Sequence, residues 1–213
     1  MEVSPERLAG WVERFSAAHG GCAAAVEAAA VEDAVVRLSA TDGAVAVLEV
    51  PRPPLPPPGE EGPVAALARH AGASCTALLL LVRRGGAAVG LARDGALLDH
   101  ASASRYVQSR TAAGGWSQQR YARRRSGQAG ELATAAADAA VRVLHRAPGA
   151  PQLLVPGGDR PLLAAVLEDP RLRSAAALPR APLMDVREPR LQVLAEAAQR
   201  CRAVRVRVSD APG

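Results

Sequence analysis

The sequence predicts an α/β (α+β) protein: a mixed sheet with flanking helices, plus a small N-terminal lobe. Three observations predict it. Strand-like runs at residues 75–82, 87–92 and 96–99 follow one another across glycine-bearing turns, the pattern of an antiparallel meander. After them, helix and strand patterns alternate to the C-terminus, which calls for a sheet of mixed direction. The core must be aliphatic, because 49% of the 213 residues are hydrophobic but only 2% are aromatic. A chain of this length buries a sizeable core, as one large domain or as one domain with an addition.

The elements follow in order. Ser4-Pro5-Glu6 starts a helix, with Ser at the N-cap, Pro in the first turn and an acid at the positive end of the dipole. Leu8, Trp11, Val12 and Phe15 recur on its apolar face, and His19-Gly20-Gly21 ends it. Residues 35–38 and 45–50 flank Thr41-Asp42-Gly43 and read as a hairpin. Residues 51–58 are proline-dense and extended, which puts the boundary of an N-terminal lobe at 1–58 and a main domain at 59–213. A short helix is expected at residues 63–70, then the meander, turning at Gly85-Gly86 and Asp94-Gly95.

A helix is predicted from Ser117 to about Arg146, with Tyr121, Leu132, Ala136, Ala139 and Val143 on one face and Pro148 stopping it. Gly127 and Gly130 weaken it by about 1 kcal/mol each relative to Ala, so a bend or fraying is expected there. Residues 152–155 form a short buried strand. Gly157-Gly158-Asp159-Arg160-Pro161 turns into a helix at residues 162–167, with Asp159 as its cap. That turn lacks the lysine and glycine spacing of a phosphate-binding loop and reads as structural. A last helix spans residues 189–202. Residues 203–208 alternate Val and Arg, as an edge or terminal strand would.

Composition excludes several classes. The N-terminus runs into a polar helix, unlike a signal peptide, and residues 77–82 are too short an aliphatic run to span a bilayer. A soluble, cytoplasmic protein with no membrane partner is expected. Cys22, Cys75 and Cys201 and the four histidines His19, His70, His100 and His145 are scattered, with no zinc-ligand spacing and no disulfide framework. No metal or cofactor is implied.

The charge is not scattered. The net charge is +5, from 26 basic and 21 acidic residues, and every basic residue is Arg. Six of these arginines lie between His100 and Gly130: Arg105, Arg110, Arg120, Arg123, Arg124 and Arg125. That interval holds no Asp or Glu. Without them the chain is close to neutral, so the cluster marks a polyanion partner, best read as RNA. Within the cluster, Gly114-Gly115 permits backbone shapes and close approach denied to other residues. Ser117 can cap the helix that follows. Arg120, Arg123 and Arg124 fall one turn apart, with Arg125 adjacent, where they would grip phosphates. Trp116 either stacks on a base or anchors in the core, and Tyr121 could also stack. Gln118 offers donors and an acceptor without charge, which suits orienting a water rather than removing its proton.

The run Gly114-Gly115-Trp116-Ser117-Gln118-Gln119-Arg120-Tyr121-Ala122-Arg123-Arg124-Arg125 resembles the catalytic loop and following helix of eukaryotic and archaeal peptide-chain release factors. It is more similar to the Vms-like release factor (VLRF) family, in its actinobacterial branch. There the loop reads Gly-x-x-Gln, matched by Gly115-Trp116-Ser117-Gln118. The strands before the loop and residues 153–158 after the long helix fit the same domain, so the resemblance covers roughly residues 73–208. It implies an RNase H-like release-factor catalytic domain that hydrolyses peptidyl-tRNA in the peptidyl transferase centre of the large ribosomal subunit. Gln118 would position the attacking water, with Gly114, Gly115 and Ser117 shaping the loop. Arg110, Trp116, Arg120, Arg123, Arg124 and Arg125 would hold rRNA or tRNA. The sequence departs from ordinary release factors in placing Trp116 where they place their glutamine, which passes the role to Gln118, with Gln119 as a rival. There is no room for a stop-codon-reading domain, so rescue of stalled ribosomes is the better expectation than codon-dependent termination. A non-catalytic RNA- or ribosome-binding module would use the same basic helix without Gln118. A weaker third reading is a metal-dependent nuclease built on Asp94, Asp99, Asp138 and Asp159.

Overall fold

The computed structural model describes residues 1–27, 34–104 and 117–210. Contacts gather the chain into two units, Met1–Ser74 with Gln199–Gly213, and Cys75–Ala198.

The first unit is built on a sheet of five strands: β1 (Glu2–Val3), β2 (Cys22–Glu27), β3 (Val35–Ala40), β4 (Val45–Glu49) and β9 (Val204–Ser209). Their order is β1-β9-β4-β3-β2, all antiparallel. The hairpin read from Thr41-Asp42-Gly43 is β3–β4, with Val36 opposite Leu48 and Leu38 opposite Ala46. Asp42 holds its turn by accepting the Ala44 N–H at 2.9 Å. Period-two alternation puts Val36, Leu38, Ala46, Leu48, Val204 and Val206 on one face, where they are buried with Leu8, Phe15, Leu67 and Ala71. Those partners come from α1 (Pro5–Ala18) and α2 (Gly62–Gly72). Each such Val or Leu contributes about 1.5–3 kcal/mol on burial.

Two sequence expectations change here. The division falls after Ser74, not in residues 51–58, and the N-terminal lobe takes back the last strand. The proline stretch is bound to α2: Arg52 donates to the carbonyls of Ala73 (3.1 Å) and His70 at that helix's C-terminus. The strand at the C-terminus is not an edge strand. β9 lies between β1 and β4, Val204 and Val206 facing the core and Arg205 and Arg207 both paired with Glu49 on the other face. Ser4 stands at the N-cap of α1 with extended backbone, yet its side chain makes no capping bond.

The second unit carries a mixed sheet in the order β7-β6-β5-β8. The meander is β5 (Thr76–Arg83), β6 (Gly86–Arg93) and β7 (Ala96–Ser104), and β8 (Leu153–Gly158) lies parallel to β5. Between β7 and β8 the chain crosses over through α3 (Ser117–Arg146), a helix of 30 residues. Then come α4 (Arg160–Leu167), a short 3-10 turn at Pro170–Leu172, α5 (Arg173–Ala176) and α6 (Leu191–Arg200). β5 is buried on both faces, as a central strand must be: Leu78, Leu79, Leu80, Leu81 and Val82 all lie within 1% of full burial. α3 and α4 cover the face that holds Leu78, Leu80, Val89 and Leu91. On the other face Gly90 leaves room for Leu97 and, on α6, Leu194: a Cβ there would come within 2.7 and 3.2 Å of them.

Candidate functional site

α3 is the element that positions the basic segment. At 1.5 Å per residue it runs about 45 Å. Its C-terminal half is anchored: Leu132, Ala133, Ala136, Ala137, Ala139, Ala140 and Val143 are buried against the sheet and α4. Most of these are alanines, which keep the helix close to β6 and β7 and add no side-chain entropy cost. Before Leu132 the packing thins. From Gly127 to Glu131 only Ala129 touches the core, half-buried, and the others are exposed. The helix continues through Gly127 and Gly130 where a bend or fraying was expected, and a Cβ at either would meet nothing within 4 Å.

Two ion-pair groups hold the anchored half. Arg146, in the last turn, donates to Asp99 on β7 through Nε at 2.8 Å and Nη2 at 3.0 Å. These bonds, more than any other influence, hold the Asp99 carboxyl below its usual range. Arg171, in the 3-10 turn, reaches Asp138 on α3 and Asp169 beside it, each at 2.7 Å. Its hydrogen bonds, joined by the Arg171 backbone N–H, bring the Asp169 carboxyl down to about 2, and the guanidinium is raised in turn. Sequence reading missed both groups, because the partners of α3 stand 47 and 33 residues away along the chain.

The four aspartates of the nuclease reading are thus not brought together. Asp99 and Asp138 serve these arginines. Asp94 accepts the Cys75 N–H at 3.0 Å, and Asp159 caps α4 by accepting the Leu162 N–H at 3.3 Å. Among the described residues no three His, Cys, Asp or Glu side chains gather where they could hold a metal ion. Cys201 is buried, and Cys22 and Cys75 are half-buried.

The Gly157-Gly158 turn is structural. Gly158 sits at φ +98°, and a Cβ there would lie 2.1 Å from the Val82 carbonyl oxygen. A Cβ on Gly157 would lie 2.6 Å from Leu81 Cδ2. Both glycines therefore let β8 close against β5, where Gly157 pairs with Leu81 and Gly158 with Val82.

Gly114, Gly115, Arg110 and Trp116 lie outside the described residues. Ser117, Gln118, Arg120, Arg123, Arg124 and Arg125 occupy the first nine positions of α3, described by its backbone. The helix begins at Ser117, so residues 114–116 immediately precede in sequence its N-terminus, the end where the dipole is positive. Charge follows the same division. The unit Cys75–Ala198 holds 17 arginines against 10 acidic residues, net +7, while the other holds 9 against 11, net −2. No described helix is long and apolar enough to cross a membrane.

The unit Cys75–Ala198 thus joins a sheet with one long crossover helix to the positive excess of the chain. The family described as Actinobacteria/chloroflexi VLRF1 release factor matches residues 76–207, and the chain belongs to that family. The match starts at β5 and ends within β9, so it contains the whole basic segment and α3. No curated protein matches the chain.

Proposed function

We propose that this release-factor chain is a ribosome-associated peptidyl-tRNA hydrolase that rescues stalled complexes by cutting the ester between nascent peptide and tRNA. The observation that carries the reading is the family match, which encloses Gly115-Trp116-Ser117-Gln118 and the arginines that follow it. Water is the nucleophile, and Gln118 orients it by hydrogen bonding at the tip of the loop. The ester oxygen that gains charge in the transition state is stabilised chiefly by ribosomal groups around it. Gly114 and Gly115 give the tip its close approach and Ser117 begins the helix behind it. Arg110, Arg120, Arg123, Arg124 and Arg125 bind the RNA backbone of the large subunit or of the tRNA, and Trp116 stacks on a base. The reaction calls for no cofactor from this chain, and its place is the cytoplasm, where ribosomes are.

The test uses stalled ribosomal complexes carrying a labelled peptidyl-tRNA, with wild type and Gln118→Ala side by side. Loss of the tRNA-linked band with wild type only, and equal ribosome association of both, is the expected result. Equal release by the two proteins removes Gln118 from its role. Association with no release by either favours the RNA-binding module, which the charge division between the units supports on its own.

A further inference from the structure

We infer that the end of the β7-β6-β5-β8 sheet from which the basic segment departs is itself an RNA-binding surface, with Arg84, Arg160 and Arg187 holding backbone phosphates. The inference rests on reading the chain's partner as RNA and adds a second contact, made by residues outside the basic segment.

β5, β7 and β8 run in one direction and finish at this end of the sheet. Open sheets commonly bind ligands beyond the carboxyl ends of such strands. Ser104, the last residue of β7, pairs with Gly86 beside the β5–β6 turn, and Arg105 follows it as the first arginine of the basic segment. Charge collects at the same end. Apart from the six arginines of the basic segment, the unit Cys75–Ala198 holds 11 arginines and 10 acidic residues. Five of these arginines, at 83, 84, 160, 187 and 190, stand at this end with three acids, Asp159, Asp185 and Glu188. The remainder is 6 against 7, so the excess outside the basic segment lies here.

Two of the three acids are answered by other arginines, Asp185 by Arg83 at 3.4 Å and Glu188 by Arg190 at 2.5 Å. Asp159 accepts the Leu162 N–H, and Arg84 stands 4.0 Å from it with its side chain 86% exposed. Arg160 and Arg187 are exposed and have no hydrogen-bond or ion-pair partner among the described residues. A guanidinium held this loosely forfeits little in turning to a phosphate, which accepts both prongs of its fork. Arg146 and Arg171, by contrast, are committed to carboxylates at 2.8 and 2.7 Å. The three available arginines also sit on fixed backbone. Arg84 lies in the turn closed by the Arg83–Gly86 pair. Arg160 begins α4 just after Asp159, whose N–H donates to the Val82 carbonyl at 2.8 Å. Arg187 follows the buried Val186, and Met184 before it accepts the Gly158 N–H at 3.0 Å.

The test measures binding of the full chain to a mixed-sequence single-stranded RNA of about 20 nucleotides over a range of salt. Arg84→Gln/Arg160→Gln/Arg187→Gln should weaken binding and lower the slope of log affinity against log salt by about 2, at about 0.7 per phosphate contact. Arg142→Gln/Arg173→Gln/Arg180→Gln removes the same charge from exposed positions elsewhere on the unit and should leave the slope as it is. An unchanged slope in the first variant overturns the inference. So does an equal loss in the second, which would make the effect one of net charge alone. Arg120→Ala/Arg123→Ala/Arg124→Ala reads the basic segment separately. A flattened slope there, with none in the Arg84 variant, keeps the segment and sinks the second surface, and the converse does the reverse. Wild-type protein that does not bind the RNA removes the reading on which both rest.

Discussion

Arg146 forks onto Asp99 with two hydrogen bonds of 2.8 and 3.0 Å, joining the last turn of α3 to the edge strand of its sheet. The same guanidinium reaches the His100 carbonyl at 3.3 Å. This pins the C-terminal end of the helix, 30 residues long, whose other end carries the basic segment. The pair is partly exposed, with Asp99 at 29% and Arg146 at 53%, so its worth is modest. A double-mutant cycle over Asp99→Ala and Arg146→Ala should give a coupling of about 0.5–1 kcal/mol by urea unfolding. A coupling of zero would show that this pair does not help to hold the helix end.

Gly158→Ala should be far more damaging. The new methyl would sit 2.1 Å from the Val82 oxygen, at a φ of +98° that L residues rarely adopt. Relief requires β8 to move away from β5 and break the register Leu81–Gly157 and Val82–Gly158. A loss of about 2–4 kcal/mol is expected from the shifted midpoint of denaturant unfolding. A midpoint within about 0.5 kcal/mol of wild type would contradict the close β5–β8 approach.

Acid should weaken the fold through Asp169 and Asp99. Both carboxyls are held below their ordinary value in the folded chain, Asp169 at about 2. The unfolded value is about 3.9, so the folded state binds fewer protons between these limits. Their stabilisation is complete above the unfolded value and is lost as the pH falls from about 4 towards about 2. Melting temperature should fall through that window, and less steeply for Asp169→Asn. Parallel curves for the two proteins would refute the assignment.

Replacing Arg120, Arg123 and Arg124 together with Ala should weaken ribosome and RNA association. It should also flatten the logarithmic dependence of affinity on salt by about 2, at about 0.7 per single-stranded phosphate contact. An unchanged slope would mean that these arginines do not grip phosphate. Folding of residues 132–146 should be untouched, because the core of α3 begins beyond the substituted turns.

Local pattern was enough for several elements. The β3–β4 hairpin follows from Thr41-Asp42-Gly43 between alternating valines, and the β5–β7 meander from its glycine turns. The Asp159 cap and the span of α3 from Ser117 to Arg146 were equally legible, since caps, turns and a 3.6-residue period depend on near neighbours. The family was legible too, because residues 114–125 are contiguous. β2 escaped notice because its run Cys-Ala-Ala-Ala-Val-Glu lacks a clear alternation.

By itself, then, the sequence determined the fold class, the long helix, the charge cluster and the family, all properties written in neighbouring residues. Only the tertiary structure decided that β9 enters between β1 and β4, that α2 and the C-terminus belong with the N-terminal sheet, and that Asp99 and Asp138 serve Arg146 and Arg171. A strand's own pattern says which face is buried but not which strand donates its hydrogen bonds. An aspartate's identity does not reveal which distant arginine will reach it. Those choices are made by folding together segments far apart in the chain, where pairing and packing, not spacing, set the partner.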